Sequence, residues 1–262
     1  MSTIKVILCG ANGTMGKVLT KFIETSLDFE VICGIDIKSL TADSFCVYKN
    51  INEIKEIDEI TADVIIDFSH SSVLDELLDM AVYKNIPLVI ATTGLADYQV
   101  ENIKKCSLKI PVFFSANMSL GMNYLIELVK QSVLVLGKDF DIEILEKHHN
   151  RKIDAPSGSA NSIIQAIQSI EQSYYVCNNR FNVLAKRNRN EIGVSAIRGG
   201  TIVGQHTVIF AGKHETIEIT HNAESREVFA EGALRAAKFI VNQPVGLYGM
   251  KDILNLPKLQ SI

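Results

Sequence analysis

Along the first half of the chain, apolar residues come in short runs separated by longer stretches with helical spacing. Ile4 to Cys9 is a largely apolar run that stops at Gly10. Glu30 to Ile35, Asp63 to Phe68, Pro87 to Ala91 and Val112 to Phe114 repeat the form. Runs this short with little polar alternation predict strands buried on both faces, as in a parallel sheet covered by helices. The intervening stretches supply those helices. Met15 to Glu24 sets Val18, Leu19, Phe22 and Ile23 on one side. Ser72 to Lys84 carries a stripe of Leu74, Leu77, Leu78 and Ala81, and Ser72 followed by Asp75 resembles a capping box at its start. Asp97 to Cys106 predicts another helix. This alternation predicts an α/β fold whose N-terminal domain is a Rossmann-type parallel sheet.

The pattern changes after about Ser115. Leu120 to Leu136 predicts one long amphipathic helix. Phe140-Asp141-Ile142-Glu143-Ile144 then alternates apolar and acidic with period two, which predicts a strand with one face open. Asn161 to Ile170 is helical in spacing. Ile192 to Ile197, Thr207 to Phe210 and Thr216 to Thr220 predict strands, and Glu227 to Val241 a last helix. The second domain is therefore expected to be α+β with a mixed, half-exposed sheet. The expected divisions are residues 1–118, 119–228, and a C-terminal helix and tail over 229–262. The polar stretch Gln172 to Asn190 is the candidate for a mobile loop.

Composition narrows the function classes. The 262 residues are 47% hydrophobic and 21% charged, which excludes a disordered or fibrous chain. Net charge is −4, from 26 basic and 30 acidic residues, so the chain lacks the basic field of a nucleic-acid binder. Any anionic ligand must be held by local devices. Cys9, Cys33, Cys46, Cys106 and Cys177 are odd in number, scattered, and form no Cys-x-x-Cys pair. Reduced thiols in a cytoplasmic protein are expected. The run from Ile4 to Cys9 is too short for a signal peptide, and no apolar run reaches the roughly 20 residues of a membrane helix.

Two segments carry chemistry. The first is Gly10-Ala11-Asn12-Gly13-Thr14-Met15-Gly16, lying between a predicted strand and a predicted helix. Glycines there allow a tight turn, close approach of backbone to a pyrophosphate, and tight helix–strand packing, while helix-start amides receive the charge. Asp36 follows the second strand, 20 residues after Gly16, where a carboxylate accepts the ribose hydroxyls of a dinucleotide. The plain alternative is a βα turn and a solvated strand-end charge. Asp36 favours NADH, whereas Lys38 nearby blunts the repulsion of a 2′-phosphate, so NADH and NADPH both stay open. Ala91-Thr92-Thr93-Gly94 and Ser115-Ala116-Asn117-Met118 follow the fourth and fifth strands, where ligands bind in open α/β sheets; each is equally readable as a plain turn.

The second segment runs from Glu146 to Ala160. Lys147 to Lys152 holds three permanent cations and two histidines, a local reversal in an acidic chain. Ser157-Gly158-Ser159 then offers amides and hydroxyls at a helix start, so the segment predicts a carboxylate or phosphate site. Adjacent histidines in an extended segment point opposite ways and so do different work. Metal binding is disfavoured, because neighbouring histidines chelate poorly together and no ligand set has zinc spacing. A solvated basic loop is the bland reading.

Taken together, these motifs resemble the 4-hydroxy-tetrahydrodipicolinate (dihydrodipicolinate) reductase family over nearly the whole chain. The resemblance is carried by Gly10 to Gly16, Asp67-Phe68-Ser69, Ala91 to Gly94 and Ser115 to Gly121. It continues through Glu146-x-His148-His149-x-x-Lys152-x-Asp154-Ala155-Pro156-Ser157-Gly158 and Arg198 to Thr207. It implies hydride transfer from NADH or NADPH to a cyclic, unsaturated dicarboxylate in the diaminopimelate route to lysine. By the same resemblance His148 is the general acid/base, Lys152 the proton donor, and His149, Gly158 and Ser159 bind substrate. Gly10, Ala11, Asn12, Gly13, Thr14, Met15, Asp36, Lys38, Ala91, Thr92, Thr93, Ser115, Ala116, Asn117 and Met118 line the cofactor. The resemblance also implies a homotetramer built through the second sheet, and a last helix and tail returning to the cofactor domain. Thr14 stands where an arginine is frequent, Ala91 where glycine is, and Ser159 where threonine is; the usual basic neighbour of the acidic residue is displaced to Lys38. These departures bear on cofactor preference. An amino-acid dehydrogenase of similar layout and a dinucleotide-responsive regulator are the competing readings. The Asp154-Ala155-Pro156-Ser157-Gly158 segment argues against the first, and His148 with Lys152 against the second.

Overall fold

The computed structural model describes residues 3–37, 44–57, 60–180 and 183–254. Two compact units divide the chain. One comprises Met1–Ser119 with Glu227–Ile262, the other Leu120–Arg226.

The first unit opens with β1 (Ile4–Cys9), α1 (Thr14–Glu24), β2 (Phe29–Ile35), β3 (Cys46–Tyr48) and α2 (Ile51–Lys55). It continues with β4 (Val64–Asp67), α3 (Leu74–Lys84), β5 (Leu88–Ile90), α4 (Asp97–Cys106) and β6 (Pro111–Phe114). The second unit holds α5 (Leu120–Leu136), β7 (Asp141–His148), α6 (Gly158–Ile170), β8 (Tyr175–Asn178), β9 (Glu191–Arg198), β10 (Gly204–Ala211) and β11 (Thr216–Ala223). The chain then returns to the first unit with α7 (Glu227–Ile240), β12 (Gly246–Tyr248) and α8 (Met250–Leu254).

Seven strands form the first sheet in the order β12-β6-β5-β4-β1-β2-β3, and every pairing is parallel. Helices cover both faces of such a sheet, so its central strands are apolar throughout; Val6, Ile7, Leu8, Val64, Ile65 and Ile66 are all fully buried. Strand order reverses at β1, which lies between β2 and β4. Ligands bind open α/β sheets at the carboxyl ends beside such a reversal. The three-residue edge strands β3 and β12 were not foreseen, being too short to show a pattern.

Two further details differ from the expected ones. No capping box forms at Ser72. A short 3-10 turn over Ser71–Val73 precedes α3, with the His70 ring as its cap, accepting from the Ser72 amide at 3.2 Å. Ser72 Oγ is itself held by His70 Nδ1 at 2.9 Å and is lost to the helix. The stretch from Gln172 to Asn190, expected to be mobile, contains β8, and Arg187 pins its far end through Asp141 at 2.9 Å and Glu143 at 3.0 Å.

The second sheet runs β11-β10-β7-β9-β8. It is mixed, because β10 is antiparallel to both neighbours while β7, β9 and β8 are parallel. Its covered face packs Ile142, Ile144, Ile192, Val194, Val208 and Phe210 against Met122, Leu125 and Val129 of α5 and Ile163, Ile164 and Ile167 of α6. The other face carries Glu143, Leu145, Lys147 and Ile197, which are partly or fully exposed. Residues alternate strictly along β7, so everything facing the helices has an even number. That alternation carries the covered face beyond the aliphatic core to Glu146 and His148.

Candidate active site

At the carboxyl end of β1 the backbone turns so sharply that Gly10 sits at φ +77°, and a side chain there would lie 2.6 Å from the Phe68 carbonyl oxygen. Gly16 is tighter: its Cβ would lie 2.2 Å from the Gly10 carbonyl oxygen. Both positions therefore require glycine, and α1 is drawn hard against the strand end. Gly13 caps α1 without a side-chain acceptor, leaving the amides of the first turn for an anion. Asp36, just past β2, accepts the Asn12 amide at 2.9 Å and so braces the same turn. In front of these residues lies a cavity of about 500 Å³, bounded by Gly10, Gly13, Asp36, Phe68, Ser69 and His70. Its apolar wall includes Ile35, Val73 and Leu77. Cavities of this size and lining take small-molecule ligands and cofactors. The cradle that a Cβ would fill, the capless helix start and the carboxylate together fit a dinucleotide.

The remaining predicted cofactor positions divide. Ala11 is buried behind the turn. Asn12, Thr14 and Met15 lie in the turn and first helical residues, while Lys38 lies outside the described residues. Thr92 is buried and gives its hydroxyl to Asp67 at 2.7 Å, whereas Thr93 is exposed beside it. Ser115 and Asn117 close a turn on themselves, with Ser115 Oγ donating to the Asn117 carbonyl at 2.8 Å. Ala116 is exposed and Met118 buried. The Asp67 carboxylate stitches the loops after β4 and β5 together, accepting the Ser69 amide at 2.9 Å, the Ser69 hydroxyl and the Thr92 hydroxyl. Burial pushes its carboxyl up, and the bonds from Ser69 and Thr92 oppose that. Phe68, Ser69 and His70, which border the cavity, were not among the expected cofactor contacts.

The second unit assembles a different cluster around the end of β7. Glu146 is fully buried and His148 is 8% exposed. His148 Nδ1 contacts one Glu146 oxygen directly. Arg198, at the end of β9, forks onto both oxygens of the same carboxylate, at 3.0 Å and 2.7 Å. The Ser157 amide donates to it at 3.2 Å. The Ser157 hydroxyl caps α6 by accepting the Ala160 amide at 3.2 Å and lies 3.1 Å from His206 Nε2. Lys152 is paired with Asp154 at 2.9 Å. Gly158 and Ser159 form the first turn of α6, and nothing lies within 4 Å of where a Gly158 side chain would be, so the helix start opens on free space. His149 follows the strand end, and its buried Nδ1 has no hydrogen-bond partner among the described residues.

Electrostatics follow from this geometry. Burial opposes ionisation of Glu146, yet the bonds from Arg198 and His148 win and hold its carboxyl below the usual range. Burial lowers His148, although Glu146 pulls it up; Lys152 and Arg198 add to the lowering. Burial drives His206 down to about 4, and the nearby His148 adds to it. Ligand atoms of Glu146, His148 and His206 fall within 4.8 Å of one another. The carboxylate between them is already taken by a guanidinium, an imidazole and an amide. A dication would meet the Arg198 charge at that point, so the cluster is suited to protons rather than to a metal. The expected residues His148, Lys152, Gly158 and Ser159 all lie in this segment. Arg198, His206 and Ser157 were quoted in the sequence only as parts of motifs, without individual roles.

A parallel seven-stranded sheet with a glycine cradle fit for a dinucleotide, in one chain with a unit bearing a buried histidine–carboxylate pair and an open helix start, is the layout of a two-domain nicotinamide-dependent reductase. Residues 4–118 match the family model described as dihydrodipicolinate reductase, N-terminus, and residues 121–254 that described as dihydrodipicolinate reductase, C-terminus. The chain belongs to the dihydrodipicolinate reductase family. It is 49% identical over 253 residues to the 4-hydroxy-tetrahydrodipicolinate reductase of Caldanaerobacter subterraneus subsp. tengcongensis, covering 96% of this chain and 98% of the relative. With the reductase of the same name from Clostridium novyi it shares 42% over 250 residues, 95% of this chain and 98% of the other. Among solved structures, a dipicolinate-bound dihydrodipicolinate reductase from Paenisporosarcina sp. TG-14 superposes with a TM-score of 0.81 at 21% identity, over 97% of this chain and all (100%) of that one. A scyllo-inositol dehydrogenase from Lactobacillus casei with bound NAD(H) shares the fold at a TM-score of 0.57 and 15% identity, over 97% and 93% of the two chains. The N-terminal domain of the family binds NAD(P), and the cofactor is NADH or NADPH. No helix among the described residues is long and apolar enough to cross a membrane.

Proposed function

We propose that this chain reduces 4-hydroxy-tetrahydrodipicolinate to tetrahydrodipicolinate in the diaminopimelate route to lysine. The observation that carries the reading is the His148–Glu146–Arg198 cluster beside the open start of α6. The overall change consumes one hydride and one proton and releases one water. The reduced nicotinamide, when bound, supplies the hydride. The chain's own residues supply the rest. Gly10, Gly13 and Asp36 seat the dinucleotide. Lys152 gives the proton and draws a carboxylate toward it. His148 takes up and returns a proton through Nε2. The start of α6 binds a second carboxylate through the Gly158 amide and the Ser159 hydroxyl. His149 offers its unpartnered buried nitrogen to the substrate. The dipicolinate named in the Paenisporosarcina structure is a dicarboxylate of the same outline.

We further infer a homotetramer, built through the open face of the second sheet, where Ile197, paired with Lys147, is 44% exposed. A cytoplasmic location is supported by the five free cysteines, three of them buried. The function is tested by a coupled assay. Substrate made in situ from pyruvate and aspartate semialdehyde by the preceding enzyme is offered with NADH and then with NADPH. Substrate-dependent oxidation of either cofactor is expected; oxidation of neither overturns the reading. Light scattering on the purified protein tests the tetramer, and a monomer or dimer mass would exclude it.

A further inference from the structure

We propose that Glu146 is a positioning residue, which locks His148 in the Nδ1–H tautomer and leaves Nε2 as the nitrogen that exchanges the proton. The proposal rests on the acid–base role given to His148 above and adds how that role is set.

Glu146 and His148 are two residues apart on β7, so both side chains leave the same face of the strand. Glu146 is fully buried, and a buried carboxylate persists in ionised form only if it is well paired. It is paired four ways. The Arg198 guanidinium supplies two donors, the Ser157 amide a third, and His148 Nδ1 the fourth contact. The guanidinium and amide can only donate, and an ionised carboxylate can only accept. Nδ1 must therefore carry its hydrogen whenever the ring is neutral, and the lone pair falls on Nε2.

The surroundings of Nε2 agree. It has no hydrogen-bond partner among the described residues. Its near neighbour is Gly204 of β10, where a Cβ would come within 3.2 Å of it. Glycine at that position keeps the nitrogen uncovered. The other charged or titratable groups facing the ring are Lys152 from the loop after β7, Arg198 from β9 and His206 from β10, with His221 of β11 behind His206. None of these is hydrogen-bonded to Nδ1, whose partner is the Glu146 carboxylate, so Glu146 sets the tautomer. The same carboxylate also holds the Ser157 amide, one residue before Gly158. A single buried anion thus spaces the proton-handling ring against the start of α6.

Two measurements on the full-length protein test this. In the wild type, nitrogen-15 NMR of the six histidines, with His148 identified by its loss in His148→Gln, reports the tautomer directly. Above the titration of His148, a protonated Nδ1 and a bare Nε2 are expected; the opposite tautomer, or an even mixture, overturns the proposal. In Glu146→Gln, kcat should fall by roughly 10²-fold, within the range of general acid–base catalysis. The limb of the kcat–pH profile assigned to His148 should move to lower pH, and the dissociation constant for NADH should not change. An unmoved limb with near-normal kcat, in a variant whose circular dichroism matches the wild type, also overturns it. If Glu146→Gln does not fold, the tautomer decides. Full activity in His148→Gln would instead defeat the acid–base reading, whatever the tautomer proves to be.

Discussion

The rings of His148 and His206 stand edge to face, their centroids 5.2 Å apart and their planes at 72°. Only one of such a pair can be charged without strong repulsion in a buried site. His206 is the one kept neutral, because burial brings it from 6.5 down to about 4. Its pKa in the folded chain thus lies below its unfolded value, so the unfolded chain binds the extra proton. Stability from this group is fully present above the unfolded value and is lost as pH falls from about 6.5 toward 4. His148 and His221 are lowered by burial in the same direction. The melting temperature is expected to fall across this window. His206→Asn should flatten that fall, removing at most about 3 kcal/mol of pH-dependent stability. An unaltered slope in the variant would contradict the assignment.

His148→Gln is expected to slow turnover by roughly 10²- to 10⁴-fold, the usual range for a lost general acid or base. The residue belongs to the second unit and the dinucleotide cradle to the first, so the affinity for NADH should be unchanged. Stopped-flow rates and fluorescence titration with NADH separate the two quantities. Near-normal turnover would remove His148 from the mechanism.

Gly16→Ala places a methyl group 2.2 Å from a carbonyl oxygen that belongs to the glycine turn itself. Backbone cannot yield as a flexible side chain can. The turn must open, the helix start must move, and the phosphate amides move with it. Calorimetry should show NADH affinity reduced at least tenfold, with a lower melting temperature. Wild-type affinity in this variant would show that the turn does not carry the dinucleotide.

Asp36 does two things at once. Its carboxylate holds the Asn12 amide at 2.9 Å and faces the cavity. A carboxylate at this place favours ribose hydroxyls and repels a 2′-phosphate. Asp36→Ala should therefore shift the ratio of kcat/KM for NADH over NADPH toward NADPH by about tenfold, equivalent to ~1.4 kcal/mol. An unchanged ratio would assign cofactor preference elsewhere, with Lys49 at the cavity edge the next residue to change.

Much of the molecule was legible from apolar spacing. The strands from Ile4, Glu30, Asp63, Pro87 and Val112 stand out because a doubly covered sheet needs no polar face. The helix from Leu120 to Leu136 was read to the residue. The reading of β7 stopped at Ile144, whereas the strand runs on to His148. The reason is physical: the next two buried positions hold Glu146 and His148, so the hydrophobic alternation ends where the chemistry begins. The partners that make those residues tolerable are remote. Arg198 is 52 residues from Glu146, and His206 is 49 from Ser157. No local spacing reports such pairs; sheet register does, by setting His206 opposite Glu146 and Arg198 opposite His148.

Hydride transfer from the nicotinamide to a cyclic dicarboxylate is the step on which the proposed function stands. Its most direct measurement uses NADH carrying deuterium at both C4 positions, with substrate generated in situ and the product examined by mass spectrometry. One deuterium is expected in each molecule of tetrahydrodipicolinate, with one NAD⁺ formed for each. A product without deuterium, or cofactor oxidation that proceeds without substrate, would contradict it.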